Sequence, residues 1–139
     1  MPTASLTRRV TFAAAHRYRR PEWDDAKNEA VFGLCARPAY HGHTYTCDIT
    51  IRGPIDATTG MILDLRVLDR ALEHEVVARF DHRNLSTDVA EFADGRDIPT
   101  CENIARHIAE RVQAAIGAAA TVSAVTVAES PTLSATWRE

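Results

Sequence analysis

The chain has 139 residues, of which 45% are hydrophobic and 25% are charged, and its formal net charge is −3. These values are typical of one globular domain, which we expect to span residues 1–139. The small negative charge provides no basic surface for nucleic acid. No apolar run approaches the roughly 20 residues that cross a bilayer, and the segment from Met1 to Arg9 lacks the apolar core of a secretory signal. We therefore expect a cytoplasmic protein with no nucleic-acid or membrane partner.

Two segments in the first half of the chain alternate between apolar and polar residues, as half-buried β-strands do. The first runs from Thr3 to His16 and the second from His41 to Arg52. The stretch between them, residues 17–37, is polar and contains proline. We predict that it is a long loop, and a long loop in a compact domain is usually functional.

The second half of the chain predicts two helices followed by two strands. Asp64 caps a helix with apolar residues at helical spacing, and Thr100 caps another that stops at Gly117. Residues 80–99 between the helices are predicted to be a second long loop. The strands are Thr121–Glu129 and Thr132–Trp137. This order predicts an α+β fold, with two helices on one face of a four-stranded antiparallel sheet.

Three histidines are predicted to meet at one end of this sheet. His41 and His43 stand two residues apart on a strand, so their side chains point to the same side. If the first two strands pair antiparallel, His16 lies beside them. Three imidazole nitrogens with an open fourth position are the ligands of a catalytic zinc ion. The alternatives are a core histidine at His16 and two polar residues at the start of a strand.

Other residues suggest acid–base chemistry or ligand binding. Asp81 next to His82 suits proton transfer, although adjacent Asp and His residues are also ordinary on surfaces. Cys35 in the first predicted loop is either a reactive thiolate or a small buried side chain. Glu129 follows an apolar strand face, so it either pairs with a guanidine-like ligand or emerges into solvent. We expect structural or surface positions at Cys47, His74, Glu102 and His107.

Six motifs in the sequence occur in a fixed order. They are FAAAHRY (Phe12 to Tyr18), FGLCARPAYHGHTY (Phe32 to Tyr45), TTGMILDL (Thr58 to Leu65), FDHRNLS (Phe80 to Ser86), IPTCENIA (Ile98 to Ala105) and AESPTLSA (Ala128 to Ala135). From about Val10 to Trp137 the chain resembles the 6-pyruvoyl-tetrahydropterin synthase family, which includes the bacterial 6-carboxytetrahydropterin synthases of queuosine biosynthesis. It departs from the family pattern at Ala13, Ala39, Tyr40, Cys101 and Ser130.

The resemblance implies a role for each candidate residue. Zinc would be bound by His16, His41 and His43. The catalytic set would be Cys35, Asp81 and His82. The pterin ring would be anchored by Glu129, with Thr100 and Cys101 beside it. The family acts on 7,8-dihydroneopterin triphosphate and eliminates triphosphate. Its tunnelling fold implies homo-oligomers, in which trimers close a β-barrel and pair, with active sites between subunits.

Several alternatives stay open. Besides a zinc-dependent lyase, the sequence is compatible with a family member recruited to a different pterin or other small molecule, and with a zinc- and pterin-binding module without turnover. The intact Cys35 and Asp81–His82 argue against the second. A zinc hydrolase is disfavoured because no Glu adjoins the His41–His43 pair, and dihydroneopterin aldolase shares the tunnelling architecture but not the histidines. Five residues separate Cys35 from His41, as in pyruvoyl-forming synthases, whereas the carboxy-forming enzymes commonly have three. Candidates for binding the triphosphate are Arg17, Arg19 and Arg37.

Overall fold

The computed structural model describes all 139 residues as five strands and five helices. The strands are β1 (Thr3–His16), β2 (His41–Pro54), β3 (Arg83–Asn84), β4 (Thr121–Ser130) and β5 (Leu133–Arg138). The helices are α1 (Asp25–Phe32), α2 (Leu65–Leu72), α3 (Ala78–Phe80), α4 (Leu85–Asp88) and α5 (Cys101–Ile116). A π-helical segment, Glu73–Val77, joins α2 to α3. None of the helices combines the length and apolar character needed to span a bilayer.

The strands form one five-stranded sheet in the order β3-β1-β2-β4-β5. β1 and β2 pair antiparallel along their whole length, from Thr3 opposite Pro54 to His16 opposite His41. The predicted α+β class is confirmed, but the four-stranded antiparallel sheet is wrong in one detail. β3 adds a fifth strand, which pairs parallel to β1 at Ala14 and Ala15. Two residues are too few to show an alternating pattern, so no periodicity indicates this strand.

The core lies between the inner face of the sheet and the two main helices. α5 packs against β4 and β5, and α2 packs against α5. The inner face of β2 is fully buried at Tyr45, Cys47, Ile49 and Ile51, while the α5 stripe buries Ile104, Ile108, Val112 and Ile116. Each fully buried aliphatic side chain contributes about 1.5–3 kcal/mol to folding. This apolar layer holds the end of the sheet where β1 stops and β2 starts.

The helix signals read from the sequence are confirmed by their capping bonds. The Asp64 carboxylate accepts from the Arg66 amide at 2.9 Å, and the Thr100 hydroxyl accepts from the Asn103 amide at 3.1 Å. Gly117 ends α5 with a φ of 63°, a left-handed conformation that glycine adopts without steric cost.

Both predicted long loops contain regular structure, so the loop predictions were wrong in this respect. Residues 17–37 include α1, and the Asp24 carboxylate caps it by accepting from the Lys27 amide. Asn28 is the only buried residue of this helix, so no apolar stripe reveals the helix in the sequence. Residues 80–99 include β3, α4 and a 3-10 turn at Ala90–Phe92.

Candidate metal centre

The pairing of β1 with β2 brings the three predicted histidines together. His16 stands opposite His41, and His43 follows two residues along the same face of β2. One ring nitrogen from each lies within 4.8 Å of the other two. The ring centroids are 4.6 Å apart for His16 and His41, and 5.0 Å apart for His41 and His43. The structure therefore forms the predicted cluster within a single chain.

His16 is completely buried and held in a defined orientation. Its Nδ1 atom lies 2.8 Å from the carbonyl oxygen of Pro99, to which it donates, so Nε2 keeps its lone pair. The Tyr45 hydroxyl lies 3.1 Å from Nδ1 and 3.3 Å from Nε2. Burial lowers the pKa of His16 to about 4, which keeps the imidazole neutral at physiological pH. A neutral imidazole is the form that binds a metal ion.

The environment of the His43 Nε2 atom is compatible with a metal ion in the cluster. Its Nε2 atom is buried and has no hydrogen-bond partner in the chain. Buried polar atoms are almost always satisfied, so a nitrogen without a partner in the chain is available to bind a metal ion. Burial, and then the neighbouring His43, lower the pKa of His41, which also favours the neutral ligand form. Three neutral imidazoles suit zinc and other first-row transition metals.

Glu129 faces this cluster from β4. The β4–β5 register shifts between Ala128 and Ser130, so Glu129 lies at an irregularity of the sheet. Its Oε2 atom is 3.7 Å from His43 Nε2 and 4.0 Å from His16 Nε2, and its side chain is 13% exposed. A nearly buried carboxylate beside neutral imidazoles is available to accept hydrogen bonds from a ligand.

Cys101 also contacts Glu129. At the start of α5, its Sγ atom lies 3.8 Å from Glu129 Oε2. Burial, and then the Glu129 charge, raise the pKa of Cys101 to about 12, so the thiol is protonated and donates to the carboxylate. Thr100 precedes it, and its hydroxyl is occupied in capping α5. The structure thus brings the predicted pterin-binding residues to one place.

Cys35 lies at the edge of the same cluster. It belongs to the 3-10 segment Gly33–Ala36, and its carbonyl oxygen accepts from the Tyr18 amide at 2.8 Å. The Tyr18 ring in turn packs edge-on against His16, with centroids 5.2 Å apart. Burial, and then the Glu129 charge, raise the pKa of the Cys35 thiol. A nearby bound cation acts in the opposite direction and favours the thiolate.

Asp81 and His82 lie at the edge of the sheet, beside Ala13 of β1 and directly before β3. Asp81 accepts from the Ala13 amide at 2.9 Å, and its second oxygen is 3.0 Å from His82 Nδ1. His82 lines a cavity of about 530 Å³ whose other walls include Ala15, Thr44 and His43. Its side chain is 83% exposed, and its hydrogen bonds and ion pair are to Ala13 and Asp81. Within one chain, therefore, His82 makes no hydrogen bond or ion pair with Cys35 or with the three histidines.

The arginines proposed for triphosphate are partly neutralised in this chain. Arg19 pairs with Asp25 at 2.8 Å. Arg19 and Arg37 line a cavity of about 260 Å³ that also contains Asp25 and Glu29. Arg17 stands apart, with its guanidinium 5.4 Å from the centre of the Tyr40 ring.

Several residues of the site escaped the sequence reasoning. Tyr45 continues the spacing of two residues from His43, so the strand pattern alone was enough to place its ring beside the histidines. The Pro99 carbonyl gave no signal. Asn28 holds in place the segment of residues 17–37, which carries Cys35. Its side-chain amide accepts from the Arg20 backbone amide and donates to three backbone carbonyls. A single asparagine in a polar helix does not reveal such a role.

The comparisons with known proteins agree with this geometry. A family model described as 6-pyruvoyl tetrahydropterin synthase matches residues 5–139. The chain belongs to the 6-pyruvoyl tetrahydropterin synthase family. A Drosophila melanogaster 6-pyruvoyl tetrahydrobiopterin synthase is 46% identical over 112 residues, which cover 81% of this chain and 66% of that protein. The solved Caenorhabditis elegans 6-pyruvoyl tetrahydropterin synthase superposes with a TM-score of 0.93 at 33% identity, covering 100% of this chain and 97% of that one.

The family also includes proteins with other names. A Pyrococcus furiosus relative called dihydroneopterin monophosphate aldolase is 31% identical over 79% of this chain and 75% of its own length. A Bacillus subtilis 6-carboxy-5,6,7,8-tetrahydropterin synthase is 33% identical over 59% of this chain and 53% of its own length. Family membership therefore fixes the fold and the pterin chemistry more firmly than the product.

Proposed function

We propose that this chain is a zinc-dependent lyase that acts on 7,8-dihydroneopterin triphosphate. It would release triphosphate and form 6-pyruvoyl-tetrahydropterin or, with cleavage of a carbon–carbon bond and release of a two-carbon aldehyde, 6-carboxy-5,6,7,8-tetrahydropterin. The observation that carries the proposal is the buried Nε2 atom of His43, which lacks a partner and lies beside Glu129. This arrangement joins a metal-ligand set to a carboxylate able to bind the pterin.

His16, His41 and His43 would hold the zinc ion. When bound, zinc supplies a Lewis acid that lowers the pKa of the hydroxyl and C–H groups of the substrate side chain. The hydrogen bond from His16 Nδ1 to Pro99 fixes which nitrogen faces the ion. The buried neutral form of His16 also avoids competition between a proton and the metal.

Glu129 would orient the pterin ring. Its two carboxylate oxygens accept a pair of hydrogen bonds from the exocyclic amino group and the adjacent ring N–H. Because its side chain is 13% exposed, this contact forms in a largely desolvated position, where a charge-assisted pair is strong. Cys101 supports the carboxylate by donating its S–H to Oε2.

Cys35 and the Asp81–His82 pair would move protons. The Cys35 thiolate removes a proton from a side-chain carbon and returns it to a neighbouring carbon. His82, oriented by Asp81, exchanges protons on the opposite face of the substrate. Loss of triphosphate from the side chain and reduction of the ring are balanced within the substrate, so the pyruvoyl product needs no external oxidant or reductant.

A homo-oligomer would complete this site, because His82 of one chain makes no hydrogen bond or ion pair with its own Cys35. The sheet supports assembly, since β1 pairs with β3 only at Ala14 and Ala15, and β5 is an open edge. Leu6, Met61 and Leu65 form part of one apolar cavity and are each about two-fifths exposed. We propose trimers, alone or in pairs, with His82 reaching the Cys35 of an adjacent subunit.

A second candidate is turnover of a different pterin. The Pyrococcus furiosus relative is named an aldolase, and Tyr40 and Cys101 depart from the family pattern close to the proposed pocket. The carboxy product would place the enzyme in queuosine biosynthesis, whereas the pyruvoyl product would not. A binding module without turnover needs neither Cys35 nor the ordered Asp81–His82 pair, so the geometry favours catalysis.

Mass spectrometry of the product tests the proposal. Zinc-loaded protein should convert 7,8-dihydroneopterin triphosphate to the pyruvoyl or carboxy tetrahydropterin, and Cys35→Ala should keep its zinc but lose turnover. Val31→Ala is the matched control, because Val31 is exposed and lies in the same segment as Cys35, residues 17–37. An aldol cleavage product without loss of triphosphate would support the second candidate instead.

A further inference from the structure

A polar cluster outside the metal centre connects three elements. His107 lies in the middle of α5 and is 9% exposed. Arg79, in α3, donates from Nη1 to His107 Nε2 at 2.7 Å and from Nη2 to Glu91 Oε2 at 3.0 Å. Glu91 belongs to the 3-10 turn Ala90–Phe92. One guanidinium therefore joins α3, α5 and this turn.

The ring of His107 also packs against both ends of one chain segment. Its centroid lies 6.2 Å from that of Phe80 and 5.2 Å from that of Phe92. Phe80 is fully buried and Phe92 is 3% exposed. Residues 81–91 lie between Phe80 and Phe92 and are also anchored in the core at Leu85 and Val89, so His107 contacts two of the points that hold the segment.

The segment begins with Asp81 and His82 in a constrained turn. His82 has a φ of 59°, which is uncommon for a residue other than glycine, and its amide donates to the Ala13 carbonyl at 2.6 Å. Such a conformation persists only where the surroundings hold it from both sides. Ala13 of β1 holds the turn on one side. Before the turn, the chain is held through Phe80 and Arg79, and after it through the pairing of Arg83 with Ala14.

We propose that His107 and Arg79 are positioning residues, which together with Glu91 hold the turn that carries Asp81 and His82. The role in catalysis rests on the proposed function of that pair, whereas the mechanical role does not. When His107 accepts from Arg79 and fills the space between Phe80 and Phe92, α3 stays against α5. The Asp81–His82 turn then keeps its contacts with Ala13.

The hydrogen bond from Arg79 to His107 depends on the protonation state of His107. Burial, and then the Arg79 cation, lower the pKa of His107, and a neutral ring is needed for Nε2 to accept. The other charged groups that face it are Glu91 from the turn and Arg111 and Glu110 from α5. Protonation would replace the acceptor by an N–H directed at a guanidinium, so the contact should weaken as pH falls below about 6.5.

Hydrogen exchange of the His82 amide is the direct test. His107→Phe keeps a ring between Phe80 and Phe92 but removes the acceptor. We expect the protection factor of the His82 amide to fall by at least about tenfold, with the Ile49 amide in β2 as the reference for global opening. His74→Phe, on an exposed position of the π-helical segment, should leave the protection factor unchanged.

Two further variants keep the test decisive. If His107→Phe does not fold, Glu91→Gln serves instead. It weakens the ion pair between Glu91 and the Arg79 guanidinium and should reduce the protection factor of the His82 amide by a smaller factor. In His107→Gln, which does not titrate, the loss of protection between about pH 7 and pH 5 should be smaller than in the unaltered chain. Unchanged His82 protection in folded His107→Phe or Glu91→Gln would overturn the proposal.

Turnover separates this inference from the proposed function. If the pair is catalytic, His107→Phe should lower kcat while KM and zinc content stay at their native values. If the unaltered zinc-loaded chain has no lyase activity, the proposed function fails, and the exchange result still decides the mechanical role. If lyase activity is present and protection is unaffected by the variants, only the positioning role fails.

Discussion

The Nε2 atom of His43 lies 3.7 Å from the Oε2 atom of Glu129. This pair joins the proposed metal ligands to the proposed pterin anchor, because His43 belongs to the histidine cluster and the same oxygen of Glu129 also accepts from Cys101. A ligand bound at Glu129 would therefore lie next to the metal. Substitution of each side chain in turn separates its contribution to metal binding from its contribution to pterin binding.

His43→Ala should abolish stoichiometric zinc binding and leave the fold intact. The reason is that Nε2 is a buried atom without any other partner, so its loss removes a ligand without breaking a hydrogen bond. Zinc content by elemental analysis and circular dichroism measure the two effects. His74→Ala is the control, since His74 is exposed on the π-helical segment. Full zinc stoichiometry in His43→Ala would remove it from the ligand set.

Glu129→Gln should weaken pterin binding while zinc content stays at the native value. The substitution removes a charge-assisted contact worth about 1.5–3 kcal/mol, which corresponds to roughly 10- to 150-fold in affinity. Isothermal titration with a pterin measures the change. Glu102→Gln, at the exposed first turn of α5, is the matched control. Equal affinities in the two variants would contradict the assignment of Glu129.

Tyr45→Phe should reduce zinc affinity by about tenfold or more, as loss of an outer-shell partner commonly does. Its hydroxyl is within 3.3 Å of both nitrogens of His16 and is buried with the ring. Competition with a chelator gives the affinity. Tyr40→Phe removes a hydroxyl from an exposed ring and should leave zinc affinity unchanged. A native affinity in Tyr45→Phe would show that Pro99 alone orients His16.

Thiol labelling should show a strong pH dependence at Cys101. Burial and Glu129 raise the pKa of Cys101 to about 12. Only the thiolate reacts, so in the metal-free protein the rate should rise about tenfold per pH unit from pH 7 to beyond pH 10. Peptide mapping after alkylation measures this rate separately from that of Cys35. A plateau below pH 9 would be inconsistent with this environment.

Asn28→Ala should destabilise the chain by roughly 1–3 kcal/mol, because it leaves the Arg20 amide and three carbonyls without their buried partner. Urea unfolding measures the free energy. Lys27→Ala, on the exposed side of α1, should change stability much less. The Cys35 thiol should become more accessible in Asn28→Ala, because Asn28 holds in place the segment of residues 17–37 that carries Cys35. Equal stability of both variants would contradict this role.

The sequence predicted those parts of the fold that depend on local patterns. The alternation in β1 and β2, the caps at Asp64 and Thr100, and the stop at Gly117 are encoded within a few residues. α1 was missed because its one buried residue is Asn28, which produces no helical stripe. β3 was missed because two residues, Arg83 and Asn84, cannot display a period.

The site was predictable where it follows from strand register. His16, His41 and His43 meet because β1 and β2 pair antiparallel, which the sequence favours. Glu129 could be recognised as an acidic residue after an apolar face, but its distance from His43 depends on a sheet irregularity that the sequence does not show. His82 has no hydrogen bond or ion pair with Cys35 within one chain, and no local pattern predicts that it lies at the sheet edge beside Ala13.

The most direct test of the central claim is the release of inorganic triphosphate from 7,8-dihydroneopterin triphosphate by the purified protein. We predict one triphosphate per tetrahydropterin formed, loss of the activity after zinc is removed by chelation, and its recovery when zinc is restored. Zinc-loaded protein that binds the substrate but releases no triphosphate would contradict the assignment as a zinc-dependent lyase.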